Sequence, residues 1–433
     1  MKDQGKLSDR APERSKAYRF PPGFLWGAST SAHQVEGDNY WNDWWEYEQQ
    51  GRVPHRSNAA CRHYQLFEHD LDLARSLGQN AHRFSIEWSR IEPVEGTWNL
   101  DGLAHYREVI RALAERGLEP IVTLHHFTNP AWFLRRGGWL RRDSAALFVR
   151  YVEQVVSHLG SAVTYWVTVN EPTVYVVEGY VLGEWPPCLK SAWLRAALAF
   201  KNLARAHVAA YRVLHRHRAD VRVGFAHSAP LIMPRNPARL RDRLATAVRH
   251  AILNRAFFRL IGAGRRRPRN IDFIGLNYYT RHVVRSAGWG LGTVIGRACQ
   301  VPHHGNDGPI STMGWEVFPA GLEATLRDFS RYGRPLLVTE NGIATEDEAL
   351  RRDFVLQHLA ALGEALENGI DVIGYLYWSL IDNFEWAHGT TPRFGLAAVD
   401  YATQERTLRP VAKDFERVCR ESRLSRKIGQ QSR

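Results

Sequence analysis

Two hydrophobic rhythms alternate along the chain. Short apolar, β-branched runs of the kind that form buried strands are separated by longer stretches in which apolar residues return every three or four positions, as on one face of a helix. The strand-like runs number eight: Phe24 to Ser29, Ala81 to Trp88, Pro120 to Phe127, Thr164 to Asn170, Val221 to His227, Asp272 to Tyr279, Pro335 to Glu340 and Val372 to Ser379. Such alternation predicts a parallel sheet wrapped by helices. Eight strands close it into a single (β/α)8 TIM barrel of the α/β class with extended βα loops. Between two of the runs, Leu103, Tyr106, Ile110 and Leu113 recur at helical spacing, with Asp101 as the expected N-cap and Gly117 as the C-terminal stop.

No short-period repeat, low-complexity linker or compositional break divides the chain. One domain is expected over residues 18–419, with a polar N-terminal tail at 1–17 and a basic C-terminal tail at 420–433. The longest irregular stretch, Arg281 to Thr312, is rich in Gly, His and Pro and follows the sixth strand; it reads as a pocket wall.

The candidate chemistry lies at two strand ends. Glu171, in Thr168-Val169-Asn170-Glu171-Pro172, follows the apolar run from Tyr165 to Val169. Glu340, in Val338-Thr339-Glu340-Asn341-Gly342, follows the run from Leu336 to Val338. A Pro or Gly stops each strand just after its carboxylate, so both side chains are expected at the C-terminal rim, where barrels carry their catalytic groups. One such glutamate alone is more often a surface or ion-paired residue. Two on one rim are the minimum equipment for cleaving a glycosidic bond.

Composition narrows this reading without redirecting it. The 433 residues suit a barrel with long loops, and no run of about eighteen apolar residues is present to span a bilayer. Met1 to Lys16 has no apolar core of a secretory signal, which points to the cytoplasm. Cys61, Cys188, Cys299 and Cys419 have no paired spacing, so free thiols are expected and no metal site. The net charge of +12 is mostly Arg dispersed over helices and loops, with short clusters at Arg265-Arg266-Arg267 and from Arg423 to Lys427. No nucleic-acid motif accompanies it, so a solvated basic surface is the preferred reading and no nucleic-acid partner is expected.

Several motifs in fixed order carry a family resemblance. They are Phe24-Leu25-Trp26-Gly27-Ala28-Ser29, Ala32-His33-Gln34-Val35-Glu36-Gly37, Arg83-Phe84-Ser85-Ile86, Thr168 to Pro172, Gly275-Leu276-Asn277-Tyr278-Tyr279, Val338 to Gly342, Trp378 to Trp386, and Arg409-Pro410. Together they cover nearly the whole chain, which resembles glycoside hydrolase family 1, the β-glucosidase and β-galactosidase family. The resemblance implies retaining hydrolysis of β-glycosides in two steps. Glu340 would be the nucleophile, and Glu171 would be first acid, then base, with the two carboxylates about 5 Å apart. Arg83 and Tyr279 would favour a charged Glu340, and Asn277 would support Glu340 or its surroundings.

The same resemblance implies a sugar pocket. Gln34, His126, Asn170 and Glu385 would bind hydroxyls, with Asn170 at the 2-hydroxyl. Trp378 would form the platform beneath the ring, and Trp386 would share the outer hydroxyls. Trp315 would shape the entrance, and Phe394 joins the substrate-binding set. Glu385 would repel a 6-phosphate, so the expected substrates are neutral small-molecule or oligosaccharide β-glycosides, with glucosides first and galactosides or fucosides beside them. No cofactor is implied, because the two carboxylates supply acid, base and nucleophile. Two positions depart from the commonest pattern. Phe127 stands where a Trp usually follows the sugar-binding His, and Thr390 stands where an aromatic often follows Glu385-Trp386-Ala387-x-Gly389. Neither touches the carboxylate pair. Besides hydrolysis, a transglycosylase using the same intermediate and a non-catalytic carbohydrate-binding protein are the other classes, the latter expected to lack one glutamate.

Overall fold

The eight predicted runs become eight parallel strands: β1 (Leu25–Ser29), β2 (Ala81–Ser85), β3 (Glu119–Thr123), β4 (Tyr165–Asn170), β5 (Arg222–Ser228), β6 (Ile274–Asn277), β7 (Leu336–Asn341) and β8 (Val372–Trp378). In the computed structural model, which describes residues 16–264, 267–287, 297–298 and 308–426, each strand pairs with the next and β8 returns to β1. The (β/α)8 barrel is therefore closed, with Gly374 opposite Leu25 and Trp378 opposite Ser29.

Four predicted strands end earlier than expected, β6 and β8 by one or two residues and β2 and β3 by three or four. β2 stops at Ser85, and the chain turns into a short helix, Trp88–Ile91, whose N-cap Glu87 accepts from the Ser89 N–H. β3 stops at Thr123, and the following residues reach Phe127 at φ 72°, a left-handed conformation that no strand continues. The helix Leu100–Glu115 forms with its predicted apolar face inward, but its cap is Asn99 and not Asp101. The Asn99 side chain accepts from the Gly102 N–H, while Asp101 lies in the first turn, where its charge suits the helix dipole. Gly117, at φ 66°, ends it as expected.

The barrel interior is filled from below by Ala81, Ile121, Val167, Ala226, Phe273, Leu337 and Leu376. Strand side chains alternate, so the residues two positions on face the same interior one layer higher. That layer includes Arg83, Thr123, Thr339 and Trp378, and it is where polar chemistry begins. Register shifts occur between Val167 and Asn170 on β4 and between Val338 and Asn341 on β7. A bulge slips the phase of a strand by one residue. These two turn Asn170 and Glu340 inward, beside the buried Arg83.

Ala17–Arg19 pairs antiparallel with Arg423–Ser425, and Leu424 is buried. The expected C-terminal tail thus supplies a strand, placed after a helix, Pro410–Glu421, that runs past Cys419. Cys61, Cys188 and Cys419 are unpaired. Cys299, Arg265, Arg266, residues 288–296 and 299–307 of the expected pocket wall, and residues 1–15 and 427–433 lie outside the described residues. No described helix is long and apolar enough to cross a membrane.

Candidate active site

Glu171 follows β4 in the left-handed conformation, φ 42° and ψ 59°, held by its N–H donating to the Ala226 carbonyl at 2.8 Å. Pro172 then begins the helix Pro172–Val176, where a missing N–H does no harm. A non-glycine residue held this way stores strain, and the geometry aims the carboxyl across the rim. Its Oε1 accepts from the Asn277 amide at 2.9 Å.

Glu340 stands opposite, with Asn277 as its register partner on β6. Its Oε1 accepts from Arg83 Nη1 at 2.5 Å and its Oε2 from the Tyr279 hydroxyl at 2.7 Å. Arg83 is wholly buried, and its other donors reach Thr123 Oγ1 at 3.0 Å and Asn170 Oδ1 at 2.8 Å. Asn170 in turn donates from Nδ2 towards His126 Nε2 at 3.2 Å. Asn277, expected to support Glu340 or its surroundings, favours the charged form of Glu340 and also donates to Glu171 and Asn170, while its carbonyl accepts from the Thr339 hydroxyl at 2.6 Å.

Both glutamates lie almost entirely out of water, Glu171 at 8% and Glu340 at 4% exposure, so their ionisation follows from their neighbours. Burial first, and then the charge of Glu340, push Glu171 up to about 8, against smaller opposing contributions from Asn277 and Arg83. Burial also raises Glu340, but the Arg83 guanidinium and the Tyr279 hydroxyl act against it. Protonating Glu340 would leave a buried cation without its counterion, which is strongly unfavourable. Glu340 therefore keeps the single charge of the pair, and Glu171 keeps the proton. The Tyr279 phenol is driven well above its usual value by burial and by Glu340, so it remains a donor. His126 is driven well below its own by burial and Arg83, so it is neutral.

These groups open into a cavity of about 580 Å3 lined by Gln34, His126, Glu171, Asn277, Tyr279, Trp315, Glu340, Trp378, Glu385, Trp386 and Phe394. Arg83 and Asn170 sit behind that lining, and every other site residue expected from the sequence faces it. Gln34 Nε2 donates to Asn383 Oδ1 at 2.9 Å and to Glu385 Oε2 at 3.1 Å, and Gln34 Oε1 accepts from the Ser31 hydroxyl at 2.6 Å. Burial and the Glu340 charge raise Glu385 to about 8. The Trp378 ring packs with Phe394 and Ala344, next to Tyr279, Met313 and Trp315. Trp386, at φ 50°, lies parallel to the His33 ring at 5.7 Å and near Trp44 at 4.8 Å.

Some functional contacts were not visible beforehand. Thr123 and Asn383 each fix a site residue, and the alternating phase of β3 and the Trp378 to Trp386 motif were the available signals. Trp185, Glu178, Met313 and His282 also line the cavity, and nothing in their local sequence marks them. Phe127 packs edge-on against Trp185 at 4.9 Å and Trp386 at 5.2 Å, so the missing indole is replaced by apolar contact. The Thr390 hydroxyl meets His55 Nδ1 at 3.3 Å on the outer loop. Among the described residues no group of three or more His, Cys, Asp or Glu is arranged to hold a metal ion.

With this geometry the comparisons with known proteins agree. The model of glycosyl hydrolase family 1 matches residues 16–268 and 267–423. The chain belongs to glycosyl hydrolase family 1. It is similar to a β-glycosidase from Pyrococcus horikoshii, with 41% identity, a TM-score of 0.88, and coverage of 95% of this chain and 97% of that one. It is similar also to a β-glucosidase from Thermotoga maritima solved in complex with castanospermine, with 31% identity, a TM-score of 0.85, and coverage of 94% and 99%. A β-galactosidase from Pyrococcus woesei is 30% identical over 483 residues, covering 89% of this chain and 94% of that protein. This family 1 enzyme is thus a glycoside hydrolase of the β-glycosidase kind.

Proposed function

We propose that the protein is a retaining β-glycosidase that releases terminal non-reducing β-D-glucosyl residues, and galactosyl or fucosyl residues beside them, from neutral glycosides. The observation that carries this reading is the opposite setting of its two glutamates. Glu340 is ion-paired to Arg83 and bonded to Tyr279, as a nucleophile must be to stay ionised. Glu171 is raised to about 8, as a general acid at neutral pH must be.

In the first step Glu340 Oε attacks the anomeric carbon while Glu171 gives its proton to the departing oxygen, leaving a glycosyl ester on Glu340. The ester carries no charge, so the electrostatic push on Glu171 vanishes and its carboxylate becomes the base for the incoming water. Asn170, held by Arg83 and His126, is positioned to meet the 2-hydroxyl, where a hydrogen bond tightens as the ring flattens. Gln34 and Glu385 offer a bonded pair for the outer hydroxyls, and Trp378 an apolar face. A phosphate on the outer sugar position would lie within the field of Glu340, in a cavity whose described lining holds no Lys or Arg to pair it, which supports neutral substrates. Likeness to both a β-glucosidase and a β-galactosidase supports tolerance at the positions where those sugars differ.

The test is chromophore release from aryl β-glucoside, galactoside, fucoside, mannoside and 6-phosphoglucoside by the wild type and Glu340→Gln. Release from the neutral sugars, lost by at least about a thousandfold in the variant, is expected. Silence of the wild type on all five, or full activity of the variant, contradicts the proposal.

A further inference from the structure

The positive charge, expected to be dispersed, is gathered in one stretch of the chain. From Leu182 to Gly264 stand fifteen Lys and Arg against three acidic residues, Glu184, Asp220 and Asp242, a surplus of 12 that equals the charge of the whole chain. Asp242 is buried and accepts from the Asn236 and Ser286 N–H groups, and Asp220 is paired with Arg218, so the exposed charge here is almost wholly positive. Lys190, Arg195, Lys201 and Arg243 are exposed and make no ion pair among the described residues.

The same stretch holds eight of the fourteen large apolar side chains that are exposed among the described residues. A cluster of such side chains on a water-facing surface marks a contact surface. Trp193, Leu194 and Leu198 stand on the first two turns of the helix Trp193–His217, with Trp193 60% and Leu194 89% exposed. On the helix Leu240–His250 and the turn Ala251–Arg255 after it, Leu240, Leu244, Val248 and Ile252 recur every four residues, and Leu240 is 62% exposed. The two helices are neighbours. They follow the adjacent strands β4 and β5, and Phe200 of the first packs on Phe257, just past the second, at 5.3 Å. Each runs back from the C-terminal rim of the barrel, so their apolar first turns lie on one side of that rim. The Ser191 and Ala192 N–H groups donate to the Val181 and Tyr180 carbonyls at 2.8 and 2.9 Å, which ties the first helix to the turn that follows Glu171.

We propose that this face docks the protein on an anionic lipid bilayer, on which it lies without crossing. Apolar side chains gain by entering the boundary between headgroups and acyl chains, the Lys and Arg beside them meet anionic headgroups, and Trp193 suits the interface between the two. A surface-lying helix needs only a one-sided apolar stripe, so the lack of a described helix fit to cross a membrane is no obstacle. Other occupants fit worse. A nucleic acid would pair the basic groups and leave Leu194, Leu240 and Leu244 in water. A second copy would cover the apolar groups and bring two positive faces together.

The experiment sediments the full-length chain with sucrose-loaded vesicles of phosphatidylcholine alone and of phosphatidylcholine with about 30% phosphatidylglycerol. Wild type is compared with two double variants, Leu194→Ser with Leu198→Ser and Arg195→Gln with Arg243→Gln. All four sites are exposed, so a wild-type Tm is expected in both variants and checks that they fold. The wild-type partition coefficient should be at least about tenfold higher on anionic than on neutral vesicles and should fall about fivefold or more in each double variant. It should also fall about tenfold between about 0.05 M and about 0.5 M salt. A wild type that stays in solution with anionic vesicles at low salt overturns the proposal. Undiminished binding in the leucine variant does so too, because charge alone would then hold the protein. Tighter binding to duplex DNA than to anionic vesicles, lost only in the arginine variant, would assign the face to a nucleic acid. A wild-type dimer in solution that the leucine variant breaks would assign it to a second copy, and either result overturns the proposal.

Discussion

Glu171 is where chemistry and stability oppose each other most openly. Its value of about 8 stands above the ordinary 4.5, so between those pH values the folded protein holds a proton that the unfolded chain has lost. Stability from this group is therefore complete below about 4.5 and is lost as pH rises through about 8, where a second negative charge must be buried beside Glu340. Glu171→Gln cannot ionise. It should raise Tm by roughly 2–5 °C at pH 9 and by less than about 1 °C at pH 5. The same group sets the basic limb of kcat/KM near pH 8 in the wild type, because only protonated Glu171 can assist departure of the leaving oxygen. Thermal unfolding at the two pH values and a pH–rate profile check both. An equal Tm change at pH 5 and pH 9 would contradict the assignment of the proton to Glu171.

At the level of elements, the site depends on departures from regular strands. The eight strand cores and their order were legible in the sequence because buried parallel strands are nearly continuous apolar runs, and Glu171 and Glu340 were legible because Pro172 and Gly342 mark the stops. The bulges on β4 and β7 were not legible, since no residue type signals a one-residue slip, and without them Asn170 and Glu340 would have the wrong phase. The Asn99 cap was missed for a related reason: both Asn99 and Asp101 are good caps, and only the backbone decides between them. Gly342 does more than stop a strand. A Cβ there would lie 1.8 Å from the Trp378 carbonyl oxygen, so β7 and β8 approach at that point only because the side chain is absent. Gly342→Ala should lower Tm by several degrees and raise KM at least about threefold by displacing Trp378. A variant with wild-type Tm and KM would show that the approach is not needed.

Across the whole molecule, residues from seven of the eight strand ends and their loops converge on one cavity. Glu171 and Glu340, 169 positions apart in the numbering, are joined by a continuous path through Asn277, Asn170 and Arg83. The motifs revealed the inner, sugar-facing half of that cavity because its residues sit inside them. The rest of its lining was invisible because Glu178, Ser228 and His282 come from three elements and meet only in the fold. Family membership fixes the reaction class, and the charge placement on this pair gives the mechanism its content. The most direct test of that content is mass spectrometry of the protein after incubation with an activated 2-deoxy-2-fluoro-β-glucoside, whose electron-withdrawing fluorine slows hydrolysis of any glycosyl ester. The account predicts one fluoroglucosyl group per chain, mapped to the peptide containing Glu340 and absent from Glu340→Gln. Label on another residue, or turnover of ordinary glucosides with α-glucose as the first product and no label at all, would contradict it.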